Sequence, residues 1–320
     1  MSIKRRFLSI VVIFLMMSGC GIQKQKKLQF LVTPKSTNTF WLQVKAGADS
    51  AGQELGVDII WNGPATETGI AEQIAIVENY INKRIDAIVI AGCDTRALVP
   101  VIEKADAAGI PVVTIDSGID SDIPKSFVAT DNILGAKKAA QSLSELIGKK
   151  GKVACIPFVP GAATSMLREQ GFKEGLKDYP NVKLVAVQYC QSDAALAMSV
   201  TENILTAHPD LAGIFAANDQ GAIGCAQALV ARNLKGKVKL VGFDADPHEL
   251  HALKSGLIQS LIVQDPFKMG YLGVKTVYEV IQGKTVEKRI DTGVSVITLD
   301  NLNTPEIKKL INPSGTEFTE

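Results

Sequence analysis

The chain has 320 residues, too many for one domain of ordinary size and comfortable for two. Hydrophobic residues make up 46% and charged residues 21%, so a sizeable core is predicted. Lysine and arginine number 34 against 33 acids, with no basic stripe or basic domain, so no nucleic-acid partner is predicted.

The first twenty residues stand apart. Lys4-Arg5-Arg6 precede an apolar run, Phe7 to Met17, that is short for a bilayer span and fits a secretory signal better than an anchor. Met17-Ser18-Gly19-Cys20 then resembles a bacterial lipobox, with Met17 where leucine is usual and Cys20 as the lipidation site. The polar stretch Gln23 to Lys27 would tether an otherwise soluble, exported protein to a membrane or cell surface. Loss of Lys4, Arg5 and Arg6, with no acid, takes the formal charge from +1 to −2. Cys93, Cys155, Cys190 and Cys225 remain. They lack C-x-x-C spacing and are read as free, buried thiols, with a Cys155–Cys190 pair as the alternative.

From Leu28 onward, strands and helices alternate. Strands are predicted at Leu28–Thr33, Val57–Trp61, Ala87–Ala91, Pro111–Ile115 and Phe127–Thr130. Helices are predicted between them, at about Leu42–Leu55, Glu72–Asn82 and Ala97–Ala108. Asp131-Asn132 opens a long helix to about Ile147, and the alternation restarts with a strand at Val153–Phe158. It continues through a helix at Met166–Lys177, a strand at Val182–Gln188 and a helix at Ala194–Ala207. Strands at Leu211–Ala217, Leu240–Asp244 and Leu261–Asp265 follow, then a helix at Phe267–Gln282. This order predicts an α/β fold of parallel, doubly covered sheets.

Several strands end in polar side chains, at Cys93-Asp94, Asp116, Asn218-Asp219 and Asp244. The carboxyl edge of an open α/β sheet is where ligands sit. The two halves share this layout, which suggests two similar lobes with facing edges and a ligand between them. Helix capping is the competing reading for Asp116 and Asp244, and ordinary core for Phe40 and Trp41. There is no G-x-G-x-x-G, P-loop, G-x-S-x-G or H-E-x-x-H, so no enzyme, cofactor or metal is predicted. His248 and His251 lack a third ligand at a recognisable spacing.

The ordered set Ile110–Asp116, Ala129–Asn132, Leu205–Asp210, Phe215–Asp219, Val241–Asp244 and Val263–Asp265 resembles the periplasmic sugar-binding proteins of the ribose- and galactose-binding type. The resemblance covers essentially the whole mature chain. It implies a type I bilobed protein: a leader at 1–19, a lipidated cysteine and linker at 20–27, one lobe from 28–130 with 265–293, and a second from 131–264 with 294–320. It implies three crossings, near Thr130, Gln264 and Thr292, and hinge closure on ligand. The partners implied are a small sugar and the permease subunits of an ABC importer, with the protein acting as a monomer.

The resemblance also implies ligand contacts at Asn38, Phe40, Trp41, Asp116, Asn218, Asp244 and Gln264. Carboxylates and amides suit sugar hydroxyls, and aromatic rings suit the C–H faces. Ser117 and Met166 stand where ribose binders carry arginines, which puts ribose itself in doubt. Arg168 is read as structural. Asn62-Gly63-Pro64 and Asp116-Ser117 are similar to the autoinducer-2-binding branch, while Asn218 and Asp244 favour the sugar branch. A ligand-dependent protein that presents its ligand to a membrane receptor is the alternative to an importer component.

Overall fold

The computed structural model describes residues 27–313. The predicted leader and Cys20 lie outside them, as do residues 314–320. The first half contains β1 (Gln29–Thr33), α1 (Thr39–Leu55), β2 (Asp58–Trp61), α2 (Ile70–Asn82), β3 (Ala87–Ile90), α3 (Val99–Ala107), β4 (Val112–Ile115) and β5 (Phe127–Ala129). The second contains α4 (Asn132–Leu146), β6 (Gly151–Ile156), α5 (Ala163–Gly175), β7 (Val182–Val187), α6 (Ala194–Ala207), β8 (Leu211–Ala216), α7 (Asp219–Ala231), β9 (Lys239–Phe243), α8 (Pro247–Lys254) and β10 (Ser260–Val263). The last segment adds α9 (Pro266–Ile281), β11 (Arg289–Asp291), β12 (Ser295–Ile297) and α10 (Pro305–Ile311).

These strands form two six-stranded sheets, ordered β11-β5-β4-β3-β1-β2 and β12-β10-β9-β8-β6-β7. The orders match strand for strand. Only β12 runs antiparallel, against β10, whereas β11 is parallel to β5. Two lobes of one architecture result.

Apolar residues on both faces of each strand explain why the sheets are covered on both sides. In β1, Phe30 and Val32 face one core with Trp41, Val44 and Val274, and Leu31 faces another with Val77, Ile88 and Ile102. Helices α1 and α9 pack so closely that a Cβ at Gly47 would lie 1.9 Å from the Phe267 carbonyl oxygen. A Cβ at Gly270 would lie equally close to that of Val44. Across the second sheet, Phe172 stacks on Phe215 with ring centroids 4.8 Å apart, and Phe243 lies beyond it.

The chain passes between the sheets three times: between β5 and α4, between β10 and α9, and between β11 and β12. The first and third passages are tied together. Thr130 Oγ1 lies 3.2 Å from Thr292 Oγ1 and donates to the Gly293 carbonyl at 3.0 Å. Arg289 stacks over Phe127 and donates to the carbonyls of Ala129 and Thr130. The second passage adjoins the third, since Lys268 Nζ at the start of α9 donates to the Thr292 carbonyl at 3.5 Å.

The strands β11 and β12 and the helix α10 lie beyond the last element read from the sequence. Each strand has three residues, too few to show a period, and each exists because it pairs with a sheet edge. Cys93, Cys155, Cys190 and Cys225 are free and buried. Burial pushes the Cys93 thiol up to about 12 and that of Cys190 to about 11.

Candidate functional site

Carboxyl ends of β4 and β9 put one aspartate each into the space between the lobes. Both adopt left-handed backbone, with φ of 52° at Asp116 and 94° at Asp244. Non-glycine residues in that region cost about 1–3 kcal/mol and cluster where a side chain must be aimed. Each is fixed identically: the Asp116 amide donates to the Val128 carbonyl of β5 at 3.0 Å, and the Asp244 amide to the Ile262 carbonyl of β10 at 2.8 Å. Neither caps a helix. The cap of α8 is Asp246, in a capping box with Glu249.

A buried cation stands beside each aspartate. Lys35, 2% exposed, places Nζ 3.1 Å from Asp116 Oδ2 and 3.5 Å from Glu67 Oε2. The ammonium lies over the rings of Trp41 and Phe158, at 5.7 and 5.3 Å. Burial pulls its pKa down, but Asp116 and Glu67 outweigh burial and the net direction is upward. In the other lobe, Arg168 is 2% exposed and packs 3.6 Å from the Phe243 ring centroid. It donates from Nε to Asn132 Oδ1 at 2.8 Å and from Nη1 to the Ala217 carbonyl at 2.7 Å. Its Nη1 lies 3.8 Å from Asp244 Oδ2. Gln264, on the second passage, donates to Asp244 Oδ1 at 2.7 Å.

Asn38 and Asn218 cap α1 and α7 with their side-chain oxygens. Their amide groups remain free to donate. Asn218 Nδ2 reaches Ser192 Oγ at 2.8 Å, and Asn38 Nδ2 crosses between lobes to Asp219 Oδ2 at 3.1 Å. Two more hydrogen bonds cross: Lys35 Nζ to Thr164 Oγ1 at 3.2 Å, and the Thr95 amide to the Gly161 carbonyl at 3.1 Å. The lobes are therefore closed on one another. Between them lies a cavity of about 20 Å³ lined by Thr39, Phe40, Gln43, Asp219, Asp244 and Gln264 among others. That space holds one water-sized group, so a larger ligand requires the lobes to part.

Asn38, Phe40, Asp116, Asn218, Asp244 and Gln264 thus come together from both lobes. Trp41 is 1% exposed and belongs to the first-lobe core while presenting its ring to Lys35. Ser117 is fully buried and its amide is turned back to the Ile115 carbonyl. Met166 does not join the group: it is 41% exposed and lines a groove along α5 with Glu169, Lys173 and Tyr189. Its position on the helix points outward, whereas Arg168, two residues on, points in. Arg168 thus reaches Asp244 while packing against Phe243 in the core. The sequence reading missed Lys35, Glu67, Thr164 and Asp219 as members. A lysine followed by an Asn-x-aromatic helix start was the available signal for Lys35, and Asp219 was in view beside Asn218.

Crowding of carboxylates in low dielectric raises their pKa values. Burial, with Asp244 and Glu67 nearby, pushes Asp219 up to about 7. Burial also pushes Asp244 up to about 6, against the opposing pull of Arg168 and Gln264. Glu249, buried behind them, is raised well above the usual carboxylate range. The closed protein therefore binds protons that an open or unfolded chain releases at neutral pH. The stability contributed by Asp219 and Asp244 is complete below the ordinary value of 3.8 and is lost as pH rises through about 6 and 7. The ligand-free protein should accordingly melt at a higher temperature at pH 5 than at pH 8, and Asp219→Asn should flatten that dependence. An unchanged slope in the variant, measured by calorimetry, would contradict this assignment.

Comparison with known proteins agrees with this geometry. A family model described as a periplasmic binding protein domain matches residues 30–285. A ribose import binding protein of Bacillus subtilis is 30% identical over 282 residues, 88% of this chain and 90% of that protein. A D-ribose/D-allose-binding protein of Pseudomonas aeruginosa is 31% identical over 312 residues, 92% of this chain and 98% of that protein. Among solved structures, a carbohydrate transporter solute-binding protein from Agrobacterium radiobacter, in complex with D-arabinose, superposes with a TM-score of 0.87 at 38% identity. It covers 90% of this chain and all of that one. With matching sheet orders, three passages and facing strand ends, the chain belongs to the periplasmic binding protein family.

Proposed function

We propose that the protein captures a small neutral sugar between its lobes and presents it to the membrane subunits of an ABC importer. The observation that carries this is the pair Asp116 and Asp244, one at the strand edge of each lobe, each in left-handed backbone and each beside a buried cation. A sugar satisfies such a pair because its hydroxyls donate to carboxylates while their lone pairs accept from Lys35, Arg168, Asn38 and Gln264. Phe40 lines the cavity and suits an apolar C–H face. The relatives are named for ribose and allose, and the solved neighbour holds D-arabinose, so pentoses and hexoses of this kind are the ligand class. Those relatives are binding proteins, which agrees with a site that positions donors and acceptors.

Replacing Asp244 by Ala tests the reading. Hydrogen bonds to charged groups contribute about 1.5–3 kcal/mol each, and about 1.4 kcal/mol is tenfold in affinity. Asp244→Ala should therefore weaken binding of D-ribose, D-allose or D-arabinose by roughly ten- to a hundredfold in a calorimetric titration. Affinity equal to that of the wild type would remove Asp244 from the site.

We further propose that the mature protein is held at the membrane through a lipid on Cys20, a reading supported by Met17-Ser18-Gly19-Cys20 after the apolar run. Mass spectrometry of the membrane fraction should find a diacylglyceryl-modified N-terminus beginning at Cys20, and Cys20→Ser should leave unlipidated protein. An unmodified wild-type Cys20 would contradict the anchor.

A further inference from the structure

The loop between β2 and α2 carries Glu67 into the cleft. It is built in place from both ends. A Cβ at Gly63 would lie 2.6 Å from Pro34 Cδ, so the loop lies directly against the segment that bears Lys35. At its far end the buried side chain of Gln73 donates to the carbonyls of Pro34 and Ala91 and accepts from the Cys93 amide. This bolts the loop to the ends of β1 and β3. Glu67 is 7% exposed, and its Oε2 lies 3.5 Å from the Lys35 ammonium, which donates to Thr164 of the opposite lobe. A first-lobe loop thus delivers a carboxylate that faces the second.

The hydrogen bonds around it do not close. Lys35 Nζ lies within ion-pair distance of Asp116 Oδ2 and Glu67 Oε2, and its aligned hydrogen bond is the one to Thr164 Oγ1. Asp116 Oδ2 and Glu67 Oε2 are buried and meet the Lys35 ammonium as ion pairs, with no aligned hydrogen bond among the described residues. One ammonium also leaves the pair of carboxylates one negative charge in excess. Buried acceptors without an aligned hydrogen bond are rare in native proteins and call for a partner.

We infer that Glu67 determines sugar specificity: with Asp116 it forms a two-carboxylate clamp that accepts hydrogen bonds from two neighbouring hydroxyls, while Lys35 donates to an oxygen of the same ligand. The inference rests on the sugar reading above. It implies selection for ligands with donors at both positions and exclusion of sugar acids, whose carboxylate would meet the excess negative charge.

Calorimetric titration of wild type and Glu67→Gln with D-ribose, D-arabinose and D-allose, and with their monodeoxy derivatives, tests the clamp. In the wild type, removing one particular hydroxyl should weaken binding tenfold or more. In Glu67→Gln that same removal should cost less than threefold, while the penalties at the other hydroxyls stay as they were. Glu67→Asp, which withdraws the carboxylate by one methylene, should show the same loss and serves if the glutamine variant does not fold. If Glu67 merely held Lys35 in place, both variants would lose affinity uniformly across all hydroxyls, and that outcome overturns the clamp. Deoxy penalties identical in all proteins overturn it too, with the sugar reading intact. A wild type that binds none of the sugars removes the reading on which the clamp stands.

Discussion

Four carboxylates and two cations share a space from which water is largely excluded, and the arrangement of the cleft follows from keeping that charge solvated. Asp116, Glu67, Asp219 and Asp244 meet between the lobes, with Lys35 on one side and Arg168 on the other. Burial of an ion without partners is costly, so each cation is placed where it serves several groups at once. Arg168 bridges Asn132, the Ala217 carbonyl and Asp244, and thereby joins α4, the end of β8 and the end of β9. Lys35 joins the end of β1 to Asp116, Glu67 and, across the cleft, Thr164. On the proposed function the cations are structural and ligand-directed in one.

Two matching lobes make this economical. The same strand order gives two facing carboxyl edges, and the same left-handed turn after the fourth strand of each aims an aspartate inward. Separation of the lobes would return Asp116, Asp219 and Asp244 to water and undo the hydrogen bonds Asn38–Asp219, Lys35–Thr164 and Thr95–Gly161. Closure therefore desolvates acceptors, and a ligand rich in hydroxyl donors offsets that cost. On the proposed function, binding and closure are one equilibrium, in which the ligand favours the state whose acceptors it can satisfy.

Much of the fold was legible in the sequence because strands buried on both faces read as continuous apolar runs, and glycines such as Gly56 and Gly109 mark helix ends. The late strands β11 and β12 were not, since three-residue edges owe their existence to the neighbouring sheet. The strand-end residues Asp116, Asn218 and Asp244 stood out because polar groups interrupt apolar runs there. Lys35 and Glu67 did not, because a charged residue in a loop looks solvent-exposed until the fold buries it, and only the lobe-to-lobe geometry does so. Met166 and Arg168 show the limit from the other side. Two residues along a helix is a rotation of about 200°, so Met166 points outward where Arg168 points in.

The central claim is that a sugar bridging the two strand-end aspartates holds the lobes shut. Small-angle scattering, recorded as the protein is titrated with D-ribose, D-allose and D-arabinose, tests it most directly. The sugar that binds should reduce the radius of gyration, and Asp116→Ala should need more of it to do so. A radius unchanged at saturating sugar would contradict it.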